Sequence, residues 1–175
     1  MKRILLLVII IIPFFYCRKQ NNSKDQDLIV PESREGAEQF VLIDTRGNRK
    51  NWVLKAEHAQ NFGDSVILYD LTVAFYDSQG EYNSTLTADS GIVYSPNGNM
   101  SALGHVVVVS EDSTILKTNY LDWLNKKKKI VTEDYVEITK KNSVITGKGM
   151  VSDPNLEHIE IQSEFNAVSR DLKEE

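Results

Sequence analysis

The sequence is poor in the residues that build disulfides and metal centres. Of its 175 residues, one is cysteine and three are histidine. The single cysteine, Cys17, excludes an internal disulfide. His58, His105 and His158 stand far apart, and none lies in an HExxH or comparable metal-binding spacing. We therefore predict no metal site and no cofactor.

Motifs of common enzyme classes are also missing. The sequence has no GxSxG nucleophile elbow, Walker loop or dinucleotide fingerprint, since Gly147-Lys148-Gly149 lacks the third glycine and a strand-to-helix setting. Asp89 and Asp122 are the candidates for a catalytic carboxylate pair. On strands that end in turns, however, such side chains more often accept hydrogen bonds from local backbone donors. We predict that the protein is not an enzyme.

The one long apolar run lies at the N-terminus. Lys2 and Arg3 precede an apolar segment at residues 4–12, and Cys17 follows shortly after it. Continued as a helix to Tyr16, this segment would span about 20 Å at ~1.5 Å per residue, short of the ~30 Å of bilayer hydrocarbon. Residues 1–17 are therefore interpreted as a lipoprotein-type export signal, with Cys17 as the acylated N-terminus after cleavage.

Two alternatives to acylation stay open. Phe15 and Tyr16 stand where small residues usually precede an acylated cysteine. The segment then either remains as an uncleaved N-terminal helix or is cleaved as a simple signal, with Cys17 incidental. All three interpretations place the folded part of the protein outside the cytoplasm.

Charge and polarity divide the rest of the chain. Acidic residues outnumber basic ones by 25 to 20, which argues against a nucleic-acid partner. Residues 18–38 are polar and predict a flexible tether that holds the domain near a membrane. Residues 39–166 are expected to carry the folded domain, and residues 167–175 a charged tail.

The folded domain contains short runs of β-branched and aromatic residues separated by turn formers, without an apolar stripe at helical spacing. This pattern predicts an all-β domain. Tight polar connections such as Arg46-Gly47-Asn48 favour hairpins between sequential antiparallel strands. The predicted strands are residues 39–45, 51–59, 66–76, 82–94, 105–110, 114–124, 130–139, 143–147 and 157–162.

Similar segments recur at intervals of about thirty residues, a period typical of stacked supersecondary units with a shared core. They begin at Leu54, Leu86, Leu116 and Ile145. The ends of such a stack are open sheet edges, which need a cover or a partner strand.

Alternation along the third predicted strand indicates an inner face. Ile67, Tyr69, Leu71, Val73 and Phe75 fall on one side of the strand by period two. Residue pattern alone does not distinguish an ordinary core from a lipid-binding groove, and half of the inner residues are assigned to plain core.

Lys126–Lys129 form the one run of like charge in the domain. Its simplest interpretation is a solvated hairpin turn. The alternative is a cationic patch near headgroup phosphates, where each cation contributes about 1 kcal/mol close to an anionic surface.

The order and spacing of several short motifs resemble the LptC family of lipopolysaccharide transport proteins. The resemblance extends over about residues 40–165. The motifs are Asn51-Trp52-Val53-Leu54-Lys55-Ala56, Thr72-Val73-Ala74-Phe75-Tyr76-Asp77, Leu86-Thr87-Ala88-Asp89 with Gly91, Gly104-His105-Val106-Val107-Val108, Leu116 and Thr118 with Leu121 and Trp123, and Ile145-Thr146-Gly147-Lys148-Gly149.

The resemblance implies a twisted, partly open antiparallel β-jelly-roll of two sheets, whose interior groove receives the acyl chains of lipid A. It also implies a protein on the periplasmic side of the inner membrane. Such a protein takes lipopolysaccharide from the permeases of an inner-membrane ABC transporter and passes it to a soluble periplasmic bridge protein of the same fold. The residues expected to contact lipid are Leu68, Tyr69, Leu71, Val73, Phe75, Leu86, Ile92, Val106, Val108, Leu116, Leu121, Trp123, Val136 and Ile138.

The resemblance further implies that the bridge protein docks by strand addition at the C-terminal edge. Ile145, Ile159 and Ile161 are expected at this edge, and the N-terminal strand 39–45 is the next candidate. Two other functions stay open. One is a structural or surface-exposed lipoprotein or adhesin with a β scaffold, and the other is a soluble bridge protein whose signal is cleaved.

Overall fold

The computed structural model describes residues 36–169, which form nine β-strands. Each predicted strand has a counterpart, and the all-β prediction is confirmed. The strands are β1 (Gly36–Arg46), β2 (Arg49–Asn61), β3 (Ser65–Tyr76), β4 (Tyr82–Tyr94), β5 (Asn99–Ser110), β6 (Ile115–Leu124), β7 (Lys129–Lys140), β8 (Ser143–Ser152) and β9 (Ile159–Ser169).

Three strands extend at least five residues beyond one of their predicted ends. β5 begins at Asn99, β8 continues to Ser152 and β9 runs to Ser169. Glycines explain the first two differences, because Gly104 and Gly149 have φ of 76° and 72° but lie inside strands. A glycine with positive φ is typical of both turns and bulges. Here it marks a bulge, so the strand continues beyond it.

The nine strands form one antiparallel sheet in the order β1 to β9. Each strand pairs with the next along the chain, as expected for a series of hairpins. β1 and β9 are therefore the two edges, and they do not pair with each other. The sheet is open, as the resemblance implied.

A line of irregularities crosses the middle of the strands. In β3, Leu68 and Leu71 are both buried although they are three residues apart. The inward-facing residues therefore change from even-numbered to odd-numbered positions around Asp70, whose φ is 51°. β6 changes parity in the same way between Thr118 and Leu121, where pairing with β7 is interrupted. Because successive side chains point to opposite faces, such a change means that each strand bends and presents a new face inward.

The line divides the sheet into two half-sheets. The first half-sheet contains residues 52–56, 71–76, 84–88, 106–110, 115–118, 136–140 and 143–146. The second half-sheet contains residues 59–61, 65–68, 91–94, 99–103, 121–124, 129–132, 150–152 and 159–161.

An aromatic contact demonstrates that the half-sheets face each other. Phe75 of the first half-sheet and Trp123 of the second have ring centroids 4.8 Å apart. β3 and β6 are three positions apart in the sheet, which would separate them by about 14 Å if the sheet were flat. The contact is therefore made across the interior, and the two predicted sheets are two halves of one folded sheet.

The predicted repeat corresponds to a single row of paired residues. Its starting residues Leu54, Leu86, Leu116 and Ile145 occupy the row in every second strand. The complete row is Leu42, Leu54, Val73, Leu86, Val108, Leu116, Ile138, Ile145 and Ala167. The apolar row thus crosses all nine strands from one edge to the other.

The predicted alternation in β3 holds for Leu71, Val73 and Phe75 and is wrong for the start of the strand. Tyr69 is 41% exposed, whereas Leu68 is fully buried and Val66 packs against the core. The irregularity at Asp70 is the reason, because it shifts the inner side by one residue. Period two therefore fails at the bend.

Candidate functional site

A cavity of about 450 Å³ opens at one end of the fold, where turns of both half-sheets meet. We call it the mouth. It is lined by four cations, three aromatic residues and two carboxylates, among other groups: Arg46, Arg49, Lys50 and Lys128; Phe75, Tyr76 and Trp123; Asp77 and Asp153. The combination of unlike side chains suits an amphiphilic ligand, which has both an apolar and a charged part.

Aromatic rings separate the mouth from the interior of the protein. Phe75 and Trp123 are 1% and 3% exposed, and both line the mouth and the apolar interior behind it. Lys128 Nζ lies 5.3 Å from the centre of the Trp123 ring, and Lys50 Nζ lies 5.7 Å from that of Tyr76. Both lysines are within the range of cation–π attraction.

None of the four cations of the mouth forms a salt bridge with another described residue. Among residues 36–169, no carboxylate oxygen lies within 4.0 Å of any of them, although five such contacts occur elsewhere. Arg49 Nη1 donates to the carbonyl oxygen of Ser78 at 2.8 Å, which fixes the guanidinium without neutralising it. The positive charge of the mouth is therefore uncompensated by direct pairing.

The two carboxylates of the mouth are engaged in their own turns. Asp77 Oδ1 accepts hydrogen bonds from the backbone N–H of Gln79 at 2.8 Å and of Glu81 at 3.0 Å. Asp153 Oδ1 accepts from the backbone N–H of Glu157 at 3.1 Å, and its Oδ2 lies 2.9 Å from His158 Nδ1. These bonds are typical of turn-stabilising aspartates.

Lys128 projects from the β6–β7 turn into the mouth. Its Nζ donates to Asn125 Oδ1 at 3.2 Å and to Asn51 Oδ1 on β2, so it connects the two half-sheets. Burial lowers the pKa of Lys128, and the nearby positive charge of Arg46 lowers it further, while Asp44 opposes the shift. The ammonium of Lys128 is thus partly desolvated and lies near a like charge.

The predicted lysine turn is present, and its lysines lie in two different surroundings. β6 ends at Leu124 and β7 begins at Lys129, so the run spans a hairpin turn as expected. Lys126 and Lys127 are exposed to solvent, as in the simpler interpretation. Lys128 alone of the run lines the mouth.

The interior between the half-sheets is closed. The apolar void behind Phe75 and Trp123 measures about 10 Å³, which is no more than the ~10–15 Å³ needed to hold one water molecule. An acyl chain cannot enter this space unless the half-sheets move apart. In this conformation the interior is a packed core.

The residues predicted to contact lipid converge on this interior, with one exception. Leu68, Leu71, Val73, Phe75, Leu86, Ile92, Leu121 and Trp123 line the small void. Val106, Val108, Leu116, Val136 and Ile138 are fully buried in the same core. Tyr69 lies outside the core, and Ile92 is only half-buried.

The residues predicted for the C-terminal edge are divided between two strands. Ile159 and Ile161 lie on the edge strand β9. Ile145 lies on β8, which pairs with β7 on one side and β9 on the other, so its placement at the edge is wrong. The β9 strand was predicted shorter than it is, which left β8 apparently uncovered.

Both edge strands expose large apolar side chains. Val41 and Ile43 on β1 are 52% and 51% exposed, and Phe165 and Val168 on β9 are 65% and 54% exposed. Unpaired backbone groups together with exposed apolar side chains are typical of a strand that receives a partner.

The candidate catalytic pair has separate structural roles. Asp89 Oδ2 lies 2.7 Å from His105 Nδ1 on the neighbouring strand. Asp122 Oδ1 accepts hydrogen bonds from Ser101 and Tyr120, both at 2.6 Å. Each carboxylate thus has its own partners.

The mouth was not predicted from the sequence. Arg46, Arg49 and Lys50 flank the β1–β2 turn, where charged residues are ordinary, and period two places Tyr76 on the side of β3 opposite Phe75. No residue spacing relates these positions to Lys128. Only the folding of the sheet brings them to one cavity.

The predicted lipid anchor Cys17 and the N-terminal segment lie outside the described residues. Within residues 36–169, no helix is long and apolar enough to cross a membrane.

Comparison with known proteins identifies one family. A family model described as lipopolysaccharide-assembly, LptC-related, matches residues 4–169, which is nearly the whole chain. No curated protein sequence gives a significant match.

Proposed function

The chain belongs to the LptC-related family of lipopolysaccharide-assembly proteins, and on this basis we propose that it binds lipopolysaccharide through its lipid A acyl chains. It receives the lipid from the permeases of an inner-membrane ABC transporter and passes it to a soluble periplasmic bridge protein of the same fold. It performs no chemical step. Its place of action is the periplasmic side of the inner membrane.

The observation that carries this proposal is the apolar row between the half-sheets. The row runs from Leu42 on one edge strand to Ala167 on the other without a charged residue. An apolar interior that reaches both open edges offers a path along which acyl chains can pass from a donor at one edge to an acceptor at the other. A closed barrel has no such path, because its first and last strands pair with each other.

Lipid entry requires the half-sheets to separate, since the interior void is too small for an acyl chain. Separation exposes apolar core surface, which is unfavourable in water. Each acyl-chain methylene that is buried against this surface contributes about 0.8 kcal/mol of favourable free energy. A long acyl chain therefore offsets much of the opening cost, and an open sheet bends more readily than a closed barrel because its edges are not bonded to each other.

Partner docking is proposed at the edges. The bridge protein adds a strand to β9, beside Ile159 and Ile161, with main-chain hydrogen bonds for affinity and alternate side chains for specificity. The permeases of the transporter are proposed to bind the other edge strand, β1. Phe165 and Val168 on β9 are both more than half exposed, and exposed large apolar side chains beside an unpaired edge support docking of a partner there.

The membrane anchor is proposed to be an acylated Cys17. Replacement Cys17→Ser should release the protein from the membrane fraction, and mass spectrometry of the native chain should find lipid on its mature N-terminus. A Cys17→Ser variant that stays firmly bound, together with a native chain free of lipid, would establish the uncleaved helix instead.

A structural lipoprotein or adhesin is the second candidate function, and the packed interior favours it. A core with a void of only about 10 Å³ is as closely packed as the interior of an ordinary folded protein that binds no lipid. Such a protein would copurify as a monomer without lipid, whereas a transport component would copurify with lipopolysaccharide or with the transporter.

Site-specific photo-crosslinking tests lipid binding at the interior. Crosslinking side chains at Leu71 and Leu86, both buried, should capture lipopolysaccharide in cells. The matched controls are Tyr69 and Thr87, which lie on the same two strands and are exposed. Equal capture from both sets would contradict binding between the half-sheets.

Two neighbouring proline variants test the edge. Along a strand, successive N–H groups point to opposite sides, so one of Glu160 and Ile161 donates toward β8 and the other toward the open edge. Of Glu160→Pro and Ile161→Pro, one should lose stability and the other should fold, bind lipid and lose the bridge protein in a pull-down. If the folded variant retains the bridge protein, β9 is not the docking edge and β1 takes its place.

A further inference from the structure

The mouth differs from the rest of the surface in its charge. The protein as a whole carries a formal charge of −5, yet four cations and only two carboxylates line this cavity. The carboxylates Asp77 and Asp153 are engaged by donors of their own turns, and none of the four cations forms a salt bridge within the described residues. Asp44 does not line the cavity, but it attracts Lys128 from beyond salt-bridge distance. The groups that line the mouth therefore carry a formal surplus of two positive charges, or of one when the nearby Asp44 is included.

The surplus is held in a defined geometry. Arg49 is fixed by its bond to Ser78, Lys50 lies over Tyr76, and Lys128 is held by Asn51 and Asn125 over Trp123. Like charges that share a cavity repel each other, and the lowered pKa of Lys128 reflects the neighbouring Arg46 as well as burial. A bound anion would relieve this repulsion.

We propose that the mouth is a binding site for a phosphate group, held by Arg46, Arg49, Lys50 and Lys128. A phosphate monoester carries about −1.5 to −2 charges at pH 7, which is opposite in sign to the surplus and enough to neutralise it. Guanidinium groups bind phosphate oxygens through paired N–H donors, and lysines add point charge. The inference rests on the proposed function, because it assigns the headgroup end of the lipid whose acyl chains enter the interior.

The aromatic floor favours a phosphate that is attached to an apolar chain. Phe75 and Trp123 form the boundary between the mouth and the closed interior. A ligand with its phosphate among the cations would have its apolar part directed at this boundary. Free inorganic phosphate shares the charge but makes no use of the aromatic rings, so the two sources are distinguishable.

An adjacent cavity limits where the phosphate can bind. It is lined by Asp77, Glu81, Glu111, Asp112 and Glu157, and it shares Asp77 with the mouth. An anion is repelled from this acidic neighbour. The phosphate is therefore confined to the side of the mouth formed by the β1–β2 and β6–β7 turns.

The test compares charge variants of the full chain by titration calorimetry with dodecyl phosphate below its micelle concentration. The first variant carries Arg46→Gln and Lys128→Gln, and a second carries Arg46→Gln and Lys50→Gln, which leaves the Lys128 bonds intact. The control carries Lys126→Gln and Lys127→Gln, an equal loss of charge in the same turn but outside the mouth. Circular dichroism verifies that all three fold.

Each cation removed from the mouth should weaken dodecyl phosphate binding about fivefold, so each double mouth variant should lose roughly 25-fold. The control should retain the native affinity. Dodecyl maltoside, which has the same chain and no charge, should bind all variants equally. An equal loss in mouth and control variants, or no binding of dodecyl phosphate to the native chain, would overturn the phosphate site.

Titration with inorganic phosphate identifies the source of the group. Weak binding, at least tenfold below that of dodecyl phosphate, supports a lipid phosphate. Equal affinity with the same loss in the mouth variants supports the site and assigns it to free phosphate. Crosslinking of lipopolysaccharide from Leu71 separates the two proposals, because it persists if only the phosphate site is wrong and fails in the native chain if the proposed function is wrong.

Discussion

The mouth and the interior share Phe75 and Trp123 as a common wall but have opposite character. The mouth is open, about 450 Å³ in volume and lined with cations, whereas the interior void is about 10 Å³ and apolar. The interior follows from alternation of apolar residues along each strand. The mouth follows from the meeting of turns that are distant in sequence. One sheet thus provides separate surroundings for the apolar and charged parts of one amphiphile.

The largest effect is expected from removing the wall between the two regions. Phe75 is 1% exposed and contacts Trp123 across the half-sheets. Phe75→Ala should destabilise the fold by about 3–5 kcal/mol, since it deletes a buried ring and leaves a cavity. Denaturant unfolding measures this loss. Phe165→Ala, which removes a ring that is 65% exposed on β9, is the control and should change stability by less than about 0.5 kcal/mol.

An equal response of the two phenylalanine variants would contradict the view that the wall is part of a packed core. A small loss for Phe75→Ala with increased binding of dodecyl maltoside would indicate instead that the mouth and the interior readily join. In either case the comparison between a closed interior and an open mouth would need revision.

A smaller effect is expected from overfilling the interior at Gly91. A Cβ at this position would lie 2.7 Å from the carbonyl oxygen of Ser101 and 2.9 Å from Leu71 Cδ2. Gly91→Ala should therefore destabilise the fold by about 1–3 kcal/mol, because a packed interior must shift to accept the methyl group. Thermal unfolding provides the measurement.

The Gly36→Ala variant is the matched control for Gly91→Ala. Its added Cβ would come no closer than 3.8 Å to the carbonyl oxygen of Ala59, an ordinary contact. Its melting temperature should remain close to that of the native chain. A Gly91→Ala variant as stable as the Gly36→Ala variant would show that the half-sheets separate easily, which favours an interior that opens for lipid.

The smallest effect concerns the charge of the mouth. Replacement Arg46→Gln should raise the pKa of Lys128 part of the way toward its ordinary value, since burial, the larger cause of the lowered pKa, remains. NMR titration of the lysine side chains measures the change, and Lys126 provides the exposed reference. An unchanged pKa of Lys128 would mean that Arg46 does not contribute to the potential of the mouth.

The lowered pKa of Lys128 also makes the free energy of unfolding depend on pH. Because the folded-state pKa of Lys128 is lowered, the unfolded chain holds this proton over an alkaline interval in which the folded chain has lost it. Stability therefore rises with pH across that interval as far as this group is concerned. Lys128→Met should remove this contribution to the pH dependence.

Much of the fold was predictable from local patterns. The all-β class, the hairpin order and the repeat that begins at Leu54 depend on residue type, turn formers and period two, which act over a few residues. The errors occur at the bend. Tyr69 was wrongly placed because period two gives no sign of the irregularity at Asp70. Residues 99–104 of β5 were missed because a glycine with positive φ, such as Gly104, is typical of both a turn and a bulge.

The edge and the mouth show the limit of prediction from sequence. Ile145 was assigned to an edge because β9 continues past the point where its polar and charged residues cease to resemble a strand. Burial on one side does not reveal the length of an edge strand, since its outer face is free to be polar. No sequence pattern indicated that Arg46 and Lys128 lie close together, because their proximity depends on two turns that are far apart along the chain.

The sequence by itself determined the strands, their antiparallel order and the apolar row that they share, since these depend on interactions between neighbouring residues and on alternation along a strand. The tertiary structure alone decided that the sheet folds along its bulges, that Phe75 meets Trp123, and that four cations surround one cavity. The physical reason is that a bulge changes the direction of every strand it crosses, and the contacts that follow join residues that no local pattern connects.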